Sequence, residues 1–245
     1  RQRQMCIRDR AMMKEGLTQE QAVDRIFLFD SHGLVTKDRE GLTPLKQKFA
    51  HEQEPQSTFL DAIGEVKPTA IVGCAAQAGS FNAYVLSAMA RINERPIIFA
   101  LSNPTSRSEC TAREAYTYTE GKCLFASGSP FPQVEVNGKT FIPRQSNNSY
   151  VFPGIGLGLV VSSPRIVPQS VFLSAAEALS KIVSEDDLEN GSLFPSLTKI
   201  REVSQSIAAA VAEQCFTAGV AGVPKPDDLS KAIQEAMYKP VYDRI

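Results

Sequence analysis

Polar or small side chains end each of the four most apolar runs in this sequence. The ends are Asp30-Ser31 after residues 26–29, Gly73-Cys74-Ala75 after 69–72, Ser102-Asn103 after 96–101, and Ser127-Gly128-Ser129 after 123–126. Amide, hydroxyl and carboxylate groups of this kind can bind ribose hydroxyls, carboxylates and carbonyls through hydrogen bonds. In parallel sheets, strand ends of this type build the ligand site. Four of them together favour a binding edge over turn chemistry alone.

Asp30 is the easiest of these ends to interpret. An acidic residue that ends a strand early in a dinucleotide fold binds the adenosine ribose. The alternative is a cap or turn residue before Ser31-His32-Gly33. The glycine-rich phosphate loop expected about twenty residues upstream is absent, and residues 1–10 occupy its place.

Two groups of amides are the other candidates. Asn103 follows the run 96–101 and precedes Pro104, an arrangement that also suits a simple turn. Asn147 and Asn148 precede a glycine-rich apolar segment, where an asparagine-rich loop before a helix is the alternative. Amides do not act as acid or base near neutral pH, but they orient carboxylates and carbonyls.

The surrounding pattern predicts the elements that position these residues. Continuous apolar runs alternate with helices that begin at Thr18, Thr58 and Thr111, which is typical of a parallel sheet with both faces covered. Strands at 26–30, 69–73, 97–101 and 123–126 are predicted to be parallel neighbours. Beyond them the sequence predicts a hairpin at Asn137-Gly138 and helices over 170–183 and 197–215.

Composition excludes several classes of protein. The 245 residues carry a net charge of −1 and no block of one sign, so we expect neither nucleic-acid nor membrane binding. Five cysteines without a CxxC pair, and only two histidines, indicate a reduced intracellular protein without a zinc site. The acidic run Ser184–Asp187 is interpreted as a helix start in preference to a metal site. No metal-binding residue is predicted.

Three segments are predicted from these patterns. Residues 1–10, RQRQMCIRDR, have no apolar period and are interpreted as unrelated to the fold. Residues 11–160 are predicted to form an incomplete α/β domain, which the resemblance described below implies to be part of an NAD(P)-binding domain, and residues 161–245 a helical C-terminal region. The expected fold class is α/β: a Rossmann-like parallel sheet flanked by helices, incomplete at its N-terminus, with a hairpin and a helical tail.

Six stretches of the chain, in order, resemble the malic enzyme family. They are FDSHGL at 29–34, KFAHE at 48–52, KPTAIVG at 67–73, NERPIIFALSNPT at 93–105, LFASGSPF at 124–131 and NNSYVFPG at 147–154. The resemblance implies oxidative decarboxylation of L-malate to pyruvate and CO₂. It also implies NADP as the hydride acceptor, with NAD as the alternative, and Mg²⁺ or Mn²⁺ in the complete enzyme.

The resemblance also implies roles for individual residues. Asn103, Asn147 and Asn148 would bind the substrate. Ser31 and Lys46 correspond to positions where NADP-using members have a small residue and a lysine, although Lys46 could equally be a solvated lysine on a helix that also contains Lys48. The full set of expected cofactor-binding residues is Asp30, Ser31, Lys46, Gly73, Ala75, Ser102 and Asn103.

The family's metal carboxylates, tyrosine acid, lysine base and glycine-rich loop would lie upstream of Ala11 and have no replacement here. We therefore interpret the chain as the C-terminal part of a malic enzyme, without catalytic residues and inactive by itself. The alternative is a non-catalytic α/β module that binds a nucleotide or a partner chain. The expected partners are malate and pyruvate, the expected assembly of the complete enzyme is a homodimer or homotetramer, and the expected location is the cytoplasm, with mitochondrion and plastid as alternatives.

Overall fold

The computed structural model describes residues 2–239. Their helices are α1 (Gln2–Lys14), α2 (Gln19–Val23), α3 (Pro44–Lys48), α4 (Phe59–Val66), α5 (Ala83–Ile92), α6 (Ala112–Tyr118), α7 (Phe152–Ser162), α8 (Ser170–Ser180), α9 (Glu185–Glu189), α10 (Ile200–Thr217) and α11 (Leu229–Ala236). Their strands are β1 (Phe29–Asp30), β2 (Gly33–Leu34), β3 (Ala70–Gly73), β4 (Ile97–Ala100), β5 (Leu124–Ser127), β6 (Val134–Val136), β7 (Lys139–Phe141) and β8 (Arg144–Gln145). Single 3₁₀ turns lie at Thr105–Arg107, Asn148–Tyr150 and Leu197–Lys199.

The chain divides into two compact units. The first contains the residues up to Ser146 together with Leu188–Leu193, and the second contains Asn147–Asp187 and the residues from Phe194 onward. The boundaries suggested by the sequence, at 10/11 and 160/161, stay predictions.

A four-stranded parallel sheet in the order β3-β4-β5-β8 forms the centre of the first unit. Its core combines strand residues such as Ile71, Ile98 and Phe125 with Leu86 and Met89 of α5, all of them buried. Three of the predicted strands are therefore confirmed as parallel neighbours, and the mixed α/β fold class is confirmed with them.

The prediction for residues 26–30 is wrong. Only Phe29–Asp30 are extended, and they pair antiparallel with Gly33–Leu34 in a separate hairpin. The segment before this hairpin contacts His51 and does not pair with the main sheet. Nε2 of His51 lies 3.0 Å from the carbonyl oxygen of Ile26, and the His51 ring stacks on Phe27. The fourth strand of the main sheet is instead β8, a two-residue polar strand that periodicity does not reveal.

Local signals are confirmed where the interacting residues are close in sequence. Thr18 with Gln21 and Thr111 with Glu114 form reciprocal capping boxes, and the hydroxyl of Thr58 accepts a hydrogen bond from the N–H of Asp61. The β6–β7 hairpin turns at Asn137-Gly138, which have φ of 52° and 75°, as a two-residue type I′ turn requires.

Residues 2–10 are helical, as part of α1, and Asp9 forms an ion pair with Lys48 at 2.8 Å.

The second unit is helical, with α10 packed against α7 and α8. Its core includes Ile155 of α7, Val171 and Ala175 of α8, and Ile207 and Val211 of α10. Gly154 and Gly158 of α7 permit the close approach of α10, because a Cβ atom at either position would overlap atoms of α10. A Cβ atom on Gly158 would lie 2.6 Å from the carbonyl oxygen of Ala208.

These glycines can be tested against a third glycine in the same helix. Gly158→Ala should lower the free energy of unfolding by about 1–3 kcal/mol, because the added methyl group forces α7 and α10 apart. A Cβ atom on Gly156 would meet nothing within 4 Å, so Gly156→Ala should be neutral or raise stability by up to about 1 kcal/mol through helix propensity. Urea unfolding followed by circular dichroism measures both. Equal effects of the two substitutions would contradict the close approach.

Candidate functional site

Three strands of the main sheet end at the same level. Gly73, Ala100 and Ser127 are paired across β3, β4 and β5 in register. The segments that follow, including Ala75 in an exposed loop, therefore leave the sheet from one edge. Three of the four strand ends identified in the sequence thus share one edge, whereas Asp30-Ser31 lies in the separate β1–β2 hairpin and not at this edge. Ligand binding at the edge stays a prediction.

Ser102 is buried directly after β4, and its hydrogen bonds are made within the protein. Its hydroxyl donates to the carboxylate of Glu109 and accepts a hydrogen bond from the N–H of Ala76 at 2.8 Å. Glu109 is only 1% exposed, and a Cβ atom on Gly73 would lie 2.4 Å from its Cγ and Cδ atoms. Gly73, which the sequence suggests as a cofactor contact, therefore makes room for Glu109. No pattern in the sequence marks Glu109 as buried, since its neighbours Arg107 and Ser108 are polar.

Asn103 is exposed at this edge and is held in a defined orientation. Its Oδ1 atom accepts a hydrogen bond from the hydroxyl of Ser129 at 2.7 Å, and its Nδ2 atom donates to the carbonyl oxygen of Leu101 at 3.4 Å. A Cβ atom on Gly128 would lie 2.7 Å from Nδ2. The amide side chain of Gln145 binds the carbonyl oxygen of Gly128 at 2.7 Å and secures the same loop. The loop after β5 therefore orients Asn103.

Asp30 lies in a cluster of charged side chains at the β1–β2 hairpin. Both of its oxygens accept hydrogen bonds from Nη2 of Arg39 at 3.1 Å, and Oδ2 also accepts one from Lys46 at 2.5 Å. The backbone N–H of His32 donates to Oδ1 at 2.9 Å. The hydrogen bond from His32 shows that Asp30 has the turn role considered in the sequence analysis, but its carboxylate also binds two cations.

These contacts control the charge state of Asp30. Burial acts to raise the pKa of its carboxyl group, but the hydrogen bonds from Lys46, the His32 N–H and Arg39 outweigh burial and lower the pKa to about 2. One carboxylate and two cations leave the cluster with a net charge of +1. The family resemblance suggested Lys46 as a cofactor-binding residue, but the sequence analysis missed Arg39, because nothing in the spacing of Arg39 from Asp30 indicates that the two side chains are in contact.

The donors in this cluster fit a phosphate group on a ribose. The Lys46 side chain is 37% exposed. Ser31, which follows Asp30 in the sequence, is also exposed, and its hydroxyl lies 3.2 Å from Nδ1 of His32. A phosphate monoester can share Lys46 with Asp30, whereas a ribose without a phosphate offers Lys46 only hydroxyl groups. Arg39 is engaged within the protein, since its Nη1 donates to the carbonyl oxygens of Gly33 and Leu34 at 3.3 and 3.2 Å and its Nη2 donates to Asp30.

The second unit contains the other two predicted substrate residues. Asn147 and Asn148 are both exposed, and Oδ1 of Asn147 accepts a hydrogen bond from the N–H of Ser149 at 2.9 Å. This bond caps the 3₁₀ turn Asn148–Tyr150. The buried hydroxyl group of Tyr150 donates to the carbonyl oxygen of Pro195 at 2.6 Å and anchors the end of that turn.

No metal site is formed by the part of the chain that the structure describes. In residues 2–239 no group of three or more His, Cys, Asp or Glu side chains is arranged to hold an ion. The acidic run after Ser184 begins α9, where the hydroxyl of Ser184 donates to Asp187 at 2.7 Å and accepts from its N–H at 3.3 Å. The side chains of the described residues therefore do not by themselves provide a set of ligands for Mg²⁺ or Mn²⁺.

Comparison with known proteins identifies the family. The sequence model described as "Malic enzyme, NAD binding domain" matches residues 5–216, which is most of the chain. The chain belongs to the malic enzyme family. It carries the NAD-binding domain of that family, as the six matching stretches in the sequence predict.

Individual relatives agree with this assignment. The chain is 48% identical over 225 residues to the chloroplastic NADP-dependent malic enzyme of Zea mays, and 46% identical over 235 residues to the mitochondrial NAD-dependent malic enzyme of Ascaris suum. These alignments cover 91% and 96% of the chain but only 35% and 36% of the relatives. The chain thus spans about a third of the length of these malic enzymes.

Solved structures share the fold. The malic enzyme of Entamoeba histolytica superposes with a TM-score of 0.67 at 24% identity, over 93% of this chain and 45% of that one. The malic enzyme from Pyrococcus horikoshii Ot3 gives a TM-score of 0.60, over 82% of this chain and 42% of that one. Among residues 2–239, no helix has both the length and the apolar composition of a membrane span.

The paired state of Asp30 is open to direct measurement. Carbon-detected NMR of its carboxyl group should give a pKa near 2, and Lys46→Gln should move that pKa toward the usual 3.8. Because the pKa of the folded state is depressed, Asp30 contributes stability above about pH 4, and this contribution is lost as the pH falls toward 2.

The matched control is Lys37→Gln, which removes a lysine that pairs with Glu52 at 3.0 Å and should leave Asp30 unchanged. A pKa near 3.8 in the unsubstituted chain would show that Arg39 and Lys46 do not bind this carboxylate in solution.

Proposed function

We propose that this chain is part of a malic enzyme that converts L-malate to pyruvate and CO₂ and reduces NADP. The observation that carries the proposal is 46–48% identity to malic enzymes over more than nine-tenths of the chain. Since the chain matches only about a third of those proteins, we further propose that it is inactive alone. The tyrosine, lysine and metal ligands of the reaction would be supplied by a part of the enzyme upstream of Ala11.

The proposed role of this chain is to bind and orient. NADP, when bound, accepts the hydride from the malate hydroxyl carbon. Asn103 orients the malate carboxylate by hydrogen bonding, and Asn147 and Asn148 act as further substrate-binding amides. The fixed orientation of Asn103 beside Ser129 supports this role, because an amide already held in place loses little conformational freedom when substrate binds.

NADP is favoured over NAD by the charge of the Asp30 cluster. Lys46 and Arg39 together outnumber the single carboxylate, which suits the extra phosphate of NADP. Asp30, Ser31 and Lys46 are proposed to bind the adenosine ribose and its 2′-phosphate. Gly73, Ala75 and Ser102 are proposed to shape the edge on which the dinucleotide lies. Both NADP-dependent and NAD-dependent proteins occur among the relatives.

Assembly and location follow the same reasoning. A homodimer or homotetramer of the complete enzyme, with malate and pyruvate as its small-molecule partners, is proposed from family membership. A cytoplasmic location stays a prediction, since the names of the Zea mays and Ascaris suum relatives include a chloroplastic and a mitochondrial form.

Activity can be tested by the absorbance of NADPH at 340 nm, with malate, NADP and Mn²⁺. The chain alone should show no turnover. A chimaera in which the chain replaces its 225-residue match in the Zea mays enzyme should be active. In that chimaera Asn103→Ala should lower kcat/KM by about 10²–10³-fold, as expected for the loss of an oriented hydrogen-bonding group.

Gln234→Ala removes an exposed amide of α11 and serves as the control, with no expected change. Circular dichroism verifies that each variant is folded. Metal-dependent turnover by the chain alone would overturn the proposed division of roles, and an inert chimaera that is folded would overturn the proposed activity.

Cofactor preference is tested in the same chimaera. Lys46→Gln should raise the KM for NADP far more than the KM for NAD, because only NADP has a phosphate to bind the lysine. Lys37→Gln, which removes an exposed lysine that pairs with the exposed Glu52, is the matched control and should affect neither. Equal changes for both cofactors in the Lys46 variant would refute the assignment of Lys46 to the 2′-phosphate.

A further inference from the structure

Glu109 is a buried acidic residue to which the proposed reaction gives no role. It is 1% exposed, and its carboxylate oxygens accept hydrogen bonds from the hydroxyl and, at 3.3 Å, the N–H of Ser102. Its backbone carbonyl oxygen accepts a hydrogen bond from the N–H of Phe81 at 3.0 Å. A buried carboxylate is costly unless it is hydrogen-bonded, so these contacts determine where its side chain can lie.

The direction of the hydrogen bonds is defined by the number of available protons. The N–H of Ala76 donates to Ser102 Oγ, which leaves the single hydroxyl proton of Ser102 to be donated to Glu109. Glu109 must therefore act as an acceptor for Ser102 to hold Ala76 in this way. Glutamine at position 109 leaves one acceptor oxygen for two donors, the hydroxyl and the N–H of Ser102, so one of the two hydrogen bonds is lost.

The loop held by this arrangement follows β3 at the proposed cofactor edge. Ala76 has a positive φ of 57°, a conformation that residues other than glycine seldom adopt without support. The same loop is bound a second time near its end, where the N–H of Gly79 donates to the carbonyl oxygen of Ser108 at 3.2 Å. The segment around Glu109 therefore holds the loop at both Ala76 and Gly79.

Glu109 also lies directly against the last residue of β3. A Cβ atom on Gly73 would lie 2.4 Å from its side chain, so the carboxylate fills the space beneath the point where the loop leaves the sheet. Ser102, which it fixes, immediately precedes the proposed substrate residue Asn103. One buried carboxylate thus contacts the ends of two adjacent strands.

We propose that Glu109 is a positioning residue for dinucleotide binding: through Ser102 it holds the loop 74–80 in the conformation that accepts the cofactor. This inference rests on the proposed function, since it assumes that NADP binds at this edge. Glu109 itself does not contact the cofactor or the substrate. Its effect is on affinity, through the conformation of the loop.

The experiment compares Glu109→Gln, Ser102→Ala and the double variant, in the 245-residue chain for hydrogen exchange and in the chimaera described above for cofactor binding. The first measurement is amide hydrogen exchange at Ala76 without any ligand, which both single variants should accelerate at least about tenfold. Ser102→Ala removes the acceptor of the Ala76 N–H, and Glu109→Gln removes one of the two hydrogen bonds that hold this acceptor in place. The second is the Kd for NADP by calorimetry in the chimaera with the Zea mays enzyme, which restores the upstream part of the protein, and both substitutions should weaken NADP binding about tenfold. The double variant should be no worse than either single variant, because the three groups act as one unit.

Glu94→Gln removes an exposed carboxylate shortly before β4 and is the matched control, with no expected change in either measurement. If Glu109→Gln does not fold, Ser102→Ala tests the same bonds with a smaller change. Faster exchange at Ala76 with unchanged NADP affinity would overturn the proposal and leave Glu109 a purely structural role. Unchanged exchange would also overturn it. If the unsubstituted chimaera does not bind NADP, the proposed cofactor site is overturned together with the positioning role, whereas exchange at Ala76 still reports whether Glu109 holds the loop.

Discussion

Parallel pairing of β3, β4 and β5 in one register is the constraint on which the rest of the first unit depends. It brings Gly73, Ala100 and Ser127 to the same level, so the chain leaves each strand at one edge of the sheet. Each of the three following segments then lies within reach of its neighbour. A shift in register would separate Ser102 from Ala76 and Asn103 from Ser129, because both contacts cross between neighbouring strands.

The two glycines at this edge have a steric function. Gly73 leaves space for the buried Glu109, and Gly128 leaves space for the carbonyl oxygen of Leu101 and the amide of Asn103. In both cases a side chain at the glycine position would overlap these neighbouring groups. Small residues at strand ends are thus required by contacts inside the protein, even before any ligand is considered.

The Asp30 cluster has a different physical basis. A carboxylate next to two cations is held ionised, and the cluster carries one more positive than negative charge, which the proposed function assigns to a second anion. Such a site discriminates between ligands by their charge, whereas Asn103 can only orient a group that already fits. The two types of interaction are suited to the two tasks proposed for this chain, which are cofactor selection and substrate orientation.

The sequence by itself determined the features that depend on neighbouring residues. The capping boxes at Thr18 and Thr111, the hairpin at Asn137-Gly138 and the three central strands all follow from interactions within a few residues or from continuous apolar runs. The family was recognisable for a related reason, since its motifs are short and occur in a fixed order.

Only the tertiary structure decided which distant groups meet. It placed residues 29–30 in a hairpin with 33–34, made the polar pair Arg144–Gln145 the fourth strand, and bound Arg39 to Asp30. Above all, it buried Glu109 beneath Gly73. The physical reason is that strand pairing and the burial of a charge depend on which groups the fold brings together, whether close in the chain, as Arg39 and Asp30, or far apart, as Glu109 and Gly73. Neither hydrophobic periodicity nor turn chemistry carries information about such partners.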